Sequence, residues 1–461
     1  MTEENRTERD SMGDMTVPAN ALYGASTQRA VLNFPVSGYH MPENFLQAAA
    51  LLKSACATAN EELGCLSAEK AEAIREVCEE IVEGSLKDQF PVDVFQTGSG
   101  TSTNMNLNEV IANRASQRAG KPIGSRAPVH PNDDCNLGQS SNDTMPTALH
   151  VSVALAIRNQ LRPALDRLRK SLEFKAAGFE EIIKIGRTHL MDATPLTLGQ
   201  EFSGYARQIA KADTRLDTAI DAMRECAIGG TAVGTGINTH ANFGKKVTEL
   251  LSEKTGLTFC ETENHFEAQA ARDDAVEVAG CLNTIAGSLS KIAHDIRMLG
   301  SGPRCGFSEL LLPATQPGSS IMPGKVNPVM SEMMVQSAYY VQGLCSTVTH
   351  SGRDGHFELN VCIPLIAHCI HESIRILSNA VDTFTERCVD GLQANEYAIQ
   401  KHLENSLMLV TALNPYIGYD KASEVAKEAY QQRKTLKEVI LEKQLLDEKT
   451  LEKALDPATM V

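Results

Sequence analysis

The sequence contains no stretch of about 18 or more uncharged apolar residues, so it offers no membrane-spanning helix. It has no run of Lys or Arg long enough to make a basic stripe, and its formal net charge is -15, which excludes a phosphate-backbone partner and with it nucleic acid. Its twelve cysteines are scattered singly from Cys56 to Cys388, without a CxxC pair or any other metal-ligand spacing. In a chain this long they are not needed as disulfides and read as reduced thiols, and the missing clusters argue against an iron–sulfur centre. The opening MTEENRTERDSMG lacks an apolar core and carries Glu3, Glu4, Glu8 and Asp10, so no secretory signal is expected. The expectation is a cytoplasmic protein, with a processed organellar one as the alternative. Its chemistry is expected to run on side chains alone, with no cofactor and no metal, on a small ligand.

What the chain does have is length and helical periodicity. With 461 residues, 42% hydrophobic and 22% charged, it can bury a large core and divide into two or three domains. Between 263 and 300, Val278, Leu282, Ile285, Leu289, Ile292, Ile296 and Leu299 alternate steps of four and three, the spacing of one helix face. Phe202, Tyr205, Ile209, Leu216, Ile220 and Met223 repeat the pattern. So do Ile157, Leu161, Leu165, Leu168 and Leu172, with Pro163 as a kink, and the run from Ile366 through Ile370, Ile374, Leu377 and Val381 to Phe384. Helices of about 30 residues span about 45 Å, more than one ordinary domain needs, so a bundle extended by oligomerisation is expected. Earlier helical signals are shorter and broken by Pro, Gly and Asn clusters, and after Gly391 they shorten again. The reading is mainly α: an N-terminal domain over 1–140, a central long-helix bundle over 141–392, and a small C-terminal helical domain over 393–461.

Four polar segments could carry chemistry. In TGSGTSTNMNLNE, 97–109, small hydroxyl and amide side chains crowd a glycine turn just before the helical run EVIANRA, where free N–H groups suit an anion; an over-endowed helix cap is the alternative. In HPNDDCNLGQSSNDTMPTA, 130–148, Ser140, Ser141 and Asn142 stand immediately before a long helix, and His130 reads equally as a solvated loop residue. In IGRTHLMDATPLTLGQE, 185–201, Thr188 and His189 lie in a loop flanked by two helices; the imidazole suits proton transfer if a carboxylate meets it. In PGSSIMPGKVNPVMSE, 317–332, a polar loop between long helices carries Ser319, Ser320, Lys325 and Asn327 ahead of Glu332. It is not a Walker A loop, because five residues separate Gly318 from Gly324 and Val326 follows Lys325. The only glycine-rich stretch, GGTAVGTG from Gly229, lies between two long helices and is assigned no role.

GSSIMPGKVNP resembles the signature of the fumarase/aspartase superfamily, whose members eliminate a group beta to a carboxylate and release fumarate. The likeness runs from DSMGDMTVPANALYGASTQRA through the four segments and DGHFELNV to NSLMLVTALNPYIGYDKA. Gly324, His189 and the HFELNV sequence resemble the water-eliminating branch, whereas ammonia-eliminating members typically have Ala, Gln and QLQLNV there. The resemblance implies reversible anti elimination of water from L-malate to fumarate, a tricarboxylic acid cycle reaction, through a doubly charged aci-carboxylate. It implies Ser319 as the base and His189, paired with Glu332, as the partner in proton transfer at the hydroxyl side. Lys325 and Asn327 then hold the carboxylate that takes up charge. Ser99, Gly100, Thr101, Ser140, Ser141, Asn142, Thr188, Ser320 and Val326 complete the substrate contacts. It further implies a second dicarboxylate site around His130, Pro131, Asn132 and Asp133, although Leu137-Gly138 and Ala127-Pro128 depart from the common pattern beside it. His356, where Asn is usual, has no reading. A homotetramer with a core of twenty helices and active sites shared between subunits is implied as well. Aspartate ammonia-lyase and a catalytically retired helical scaffold are the competing functions.

Overall fold

The computed structural model describes residues 5–461, and the chain forms two compact units. One takes in the chain up to Pro163, Thr214–Ala286 and Tyr339–Ser378; the other takes in Ala164–Asp213, Gly287–Ala338 and Asn379–Val461. The architecture is mainly α. Its strands pair only as five two-stranded ladders among the described residues. No described helix is long and apolar enough to cross a membrane.

The expected periodicities are the helices. Asp273–Leu299, Leu198–Ala222 and Ile363–Phe384 run where the apolar spacing put them, and Val329–Gly352 adds a fourth long helix. Every residue of the 278–299 seam is at most 6% exposed. At 22 to 27 residues these helices fall short of the expected length of about 30. The longest helical run instead joins Ser141–Ala156 and Arg162–Gly178 through a π turn, Ile157–Leu161. Pro163 lacks the N–H that would bond the carbonyl four residues back, and the backbone widens just ahead of it.

Two local expectations change. The helix expected from EVIANRA starts eight residues earlier, at Thr101, and runs to Arg118. Its Ser, Thr and Asn residues were read as loop because such side chains usually compete for backbone hydrogen bonds. Here the asparagines bond elsewhere: Asn104 and Asn108 donate to Asn136 Oδ1 at 3.0 and 3.3 Å, and Asn106 and Asn113 to the Gln89 and Leu22 carbonyls. The Thr188–His189 segment is likewise not a loop between helices but the tip of a β-hairpin, Ile183–Thr188 paired with Met191–Thr197. Lys184 is buried on that strand in an ion cluster, so the apolar alternation that marks a strand is missing from the sequence.

The C-terminal stretch packs around its own apolar core, in which Leu403, Leu413, Val425, Val439, Ile440 and Leu451 are buried. The helices Tyr419–Gln432, Leu436–Glu442 and Glu448–Ala454 close over it.

Candidate active site

In the first unit, the donors of two separate segments meet at two helix starts. Gly100, in the left-handed region at φ +77, is the residue before Thr101–Arg118, and a Cβ there would lie 2.9 Å from Met145 Cγ. Ser140 caps Ser141–Ala156: its Oγ accepts from Asn142 N at 3.2 Å, and Asp143 Oδ1 accepts from Ser140 N at 2.9 Å, a reciprocal capping box. The hydroxyls of Ser99, Thr101 and Ser141 form a chain, 2.7 Å from Ser99 Oγ to Thr101 Oγ1 and 2.7 Å on to Ser141 Oγ. That chain brings together residues 40 apart in sequence and sets two N-terminal helix dipoles on one spot. An acidic protein thereby acquires local positive potential without a cationic side chain.

The glycine-rich stretch left unassigned by the sequence joins this cluster. Asp143 Oδ2 accepts from Gly229 N and Thr231 N at 3.1 and 2.9 Å, and Asn142 Nδ2 donates to the Ala232 carbonyl at 2.7 Å. Gly230 leaves no room for a side chain, since a Cβ would sit 2.2 Å from Gln269 Oε1. Thr231 Oγ1 is buried without a hydrogen-bond partner. Burial raises the Asp143 carboxyl to about 6 despite its backbone donors. The only sequence signal for this loop was its glycine content.

A second unforeseen residue is Lys53. Fully buried, it donates from Nζ to Asn136 Oδ1 and Gln139 Oε1, both at 3.0 Å, and so fixes the turn that leads into Ser140. Burial lowers its pKa to about 8, against the opposing pull of Cys56, Cys135 and Asp143. As one Lys among many it left no sequence signal.

His130 caps its own turn. Its Nδ1 accepts from Asn132 N and Asp133 N at 3.3 and 3.0 Å. An Asp133 carboxylate oxygen lies 3.3 Å from the same nitrogen. Pro131 and Asn132 face a cleft of about 740 Å³ with Arg9, Arg126, Asp10 and Glu109 on its walls. Asn132 and Asp133 are exposed.

The second unit carries the other candidates on irregular backbone. Ser319 Oγ accepts from Ile321 N and Met322 N at 3.3 and 3.0 Å. The loop is closed by Gly318 N donating to the Lys325 carbonyl at 2.8 Å and by Asn327 Nδ2 donating to the Gly318 carbonyl at 2.7 Å. A Cβ on Gly318 would fall 2.6 Å from that Lys325 carbonyl oxygen, which explains the glycine. Gly324, Lys325, Val326, Asn327 and Glu332 line a cleft of about 700 Å³ together with His294 and Arg297. Ser319, Ser320, Thr188 and His189 are not on its walls. Lys325 is exposed and makes no ion pair among the described residues.

Thr188 and His189 are exposed at the hairpin tip, where His189 and Leu190 both have positive φ, +55 and +62. The two-residue hairpin turn whose twist matches its strands requires that conformation, normally with Asn or Gly. Among the described residues no hydrogen bond or ion pair joins His189 to Glu332. Large apolar side chains stand exposed next to these candidates along the chain: Leu190 at 68%, Met191 at 70% and Ile321 at 83%. Among the described residues no three His, Cys, Asp or Glu side chains cluster closely enough to hold a metal ion.

The chain matches known proteins over nearly its whole length. A lyase family profile matches residues 13–343, and a fumarase C C-terminus profile matches 409–461. The chain is 53% identical to a class II fumarate hydratase of Thermosynechococcus vestitus, over 96% of this chain and 95% of that one. It is 51% identical to a mitochondrial fumarate hydratase of Rhizopus oryzae, over 99% and 92%. Its backbone superposes on the crystal structure of a recombinant class II fumarase from Schistosoma mansoni with a TM-score of 0.95 at 39% identity, covering 98% of each chain.

Proposed function

The chain belongs to the lyase family of class II fumarate hydratases, and from that premise we infer that it interconverts L-malate and fumarate as a carbon–oxygen lyase, with the candidate residues in the following roles. Ser319 takes the proton from the carbon beside the carboxylate of malate, and the electron pair moves into that carboxylate as an aci-carboxylate dianion. The hydroxyl on the neighbouring carbon then leaves as water, with a proton delivered from the His189 side, and the double bond of fumarate forms. Hydration runs the same steps backwards.

The observation that carries this reading is the pair of N–H groups aimed at Ser319 Oγ. A serine is a poor base because its alkoxide is costly, and preorganised donors lower that cost in a site that excludes water. Lys325, unpaired and next to the loop closure, offers charge to the dianion, and Asn327 keeps one amide hydrogen beyond the one it gives Gly318. Ser99, Gly100, Thr101, Ser140, Ser141 and Asn142 hold the rest of the dicarboxylate through hydroxyls, amide and helix-end N–H groups. Thr188, Ser320 and Val326 border the substrate. His130, Pro131, Asn132 and Asp133 form a second dicarboxylate site, supported by the adjacent cleft and by Arg126 on its wall.

The active assembly in this reading is a homotetramer with a twenty-helix core and active sites shared between subunits. Exposed His189, its separation from any carboxylate partner and the apolar side chains bared beside it support that, because such groups ask for cover. The division at 140 and 392 belongs to the same proposal; the second boundary is supported by the buried apolar cluster that residues 403–454 form, against which Ile183 also packs. A cytoplasmic location is supported by the twelve unpaired thiols, which suit a reducing compartment.

The test is to give the purified, chelator-treated protein fumarate in water, with and without ammonium, and to follow products by proton NMR. Malate without ammonium is the expected result. Aspartate formed only with ammonium would turn the assignment to an ammonia-lyase, and no product to a scaffold.

A further inference from the structure

The turn that carries His189 is held in a conformation its residues disfavour, with neither glycine nor asparagine at its positive-φ positions. Strain of this kind persists only where surrounding structure enforces it. What lies beneath is a buried ion cluster. Glu309 is completely buried; its Oε1 lies 2.6 Å from Arg187 Nη2 and its Oε2 3.2 Å from Lys184 Nζ, which also meets Glu201 Oε2 at 3.0 Å. Arg187 and Lys184 belong to the strand Ile183–Thr188 that ends at the turn, and the Arg187 guanidinium lies 4.3 Å from the centre of the Phe307 ring. The backbone of Glu309 is tied as firmly: its N–H donates to Leu299 O and its carbonyl accepts from Asn395 N, both at 2.8 Å. Directly after it, Leu310–Leu311 pairs with Gln393–Ala394, and the loop bearing Ser319 leaves from that ladder. One residue thus grips the His189 hairpin with its side chain and the stem of the Ser319 loop with its backbone.

We propose that Glu309, with Arg187 and Lys184, is a positioning brace that holds the His189 turn in register with the stem of the Ser319 loop, so that the two proton-transfer groups share one rigid frame. The proposal rests on the roles given above to Ser319 and His189. Buried ion clusters also serve stability alone, and breaking one is strongly destabilising whether or not it matters to catalysis. The two cases differ in how the brace couples to His189.

The experiment is a double-mutant cycle on fumarate hydration in the full-length protein, using Arg187→Met and Glu309→Gln, each alone and combined with His189→Asn, with thermal unfolding of every variant. Glu309→Gln keeps the shape of the carboxylate and stands in if Arg187→Met does not fold. The expected result is a kcat lowered about tenfold to a hundredfold with KM changed much less, since misplacement of a proton donor by about 1 Å suffices for that loss. Arg187→Lys should recover part of it. In the His189→Asn background the same substitutions should cost less than about threefold, because the brace acts through the missing imidazole. Equal losses in both backgrounds, or unchanged kcat in a folded Arg187→Met protein, would overturn the brace. His189→Asn with wild-type kcat would also overturn it, but by removing the role of His189 itself.

Discussion

Around Ser99, Thr101 and Ser140 to Asn142, the donors stand at two helix starts; the hydroxyls of Ser99, Thr101 and Ser141 form a chain, and the Ser141–Ala156 helix is capped by Ser140 and tied to the glycine-rich loop through Asp143. Around Ser319 and His189, the candidates stand on a closed loop and a hairpin tip, largely exposed and flanked by bare apolar side chains. The contrast follows the work proposed for each region. Groups that hold a carboxylate gain from rigid, buried dipoles that need no rearrangement when charge arrives. Groups that move protons must admit substrate and then close, so they sit on backbone that depends on other surfaces for its cover.

The comparison can be broken experimentally. The largest effect is expected from Ser319→Ala, which should lower kcat for fumarate hydration by about 10²–10⁴-fold while leaving the melting temperature close to wild type, because the side chain caps only its own loop turn. Near-normal turnover would remove Ser319 as the base. Next comes the pH dependence of Asp143. Its carboxyl is raised from 3.8 to about 6 in the folded protein, so it contributes stability that is fully present below pH 3.8 and lost as pH rises through about 6. The shift corresponds to about 3 kcal/mol. Subtracting the Asp143→Asn unfolding curve from that of the wild type should expose this decline in chemical denaturation between those pH values, and parallel curves would show the carboxyl is not strained by burial. Lys53 runs the other way: lowered from 10.5 to about 8, it should add stability as pH rises across that window, and Lys53→Met should flatten the rise.

Smaller effects should separate binding from chemistry. Thr101→Val cuts the hydroxyl chain between Ser99 and Ser141 and is expected to raise KM about tenfold with little change in kcat, the mark of an interaction made equally in ground and transition states. A fall in kcat of the same size would place Thr101 with the proton-moving groups and dissolve the contrast. The smallest effect is expected from Ser140→Ala, which loses a helix cap and about 1 kcal/mol of stability, measurable as a lowered denaturant midpoint.

The apolar spacing alone determined the long helices, because a helix face that must be buried repeats every three or four residues whatever it packs against; Val278 to Leu299 and Ile366 to Phe384 were readable from that rule. The loop of Ser319 and Lys325 was readable too, since glycine and proline interrupt helices locally. Tertiary structure alone decided the rest. Thr101 to Asn108 is helical because asparagines find partners on distant segments, and Ile183–Thr188 is a strand because Lys184 finds a buried carboxylate. Lys53, the glycine-rich loop at Gly229 and Glu309 draw their roles from neighbours far along the chain, and a polar residue's partner is written in no local pattern. Periodicity records which side of an element is buried; only the folded chain records what each buried polar atom meets.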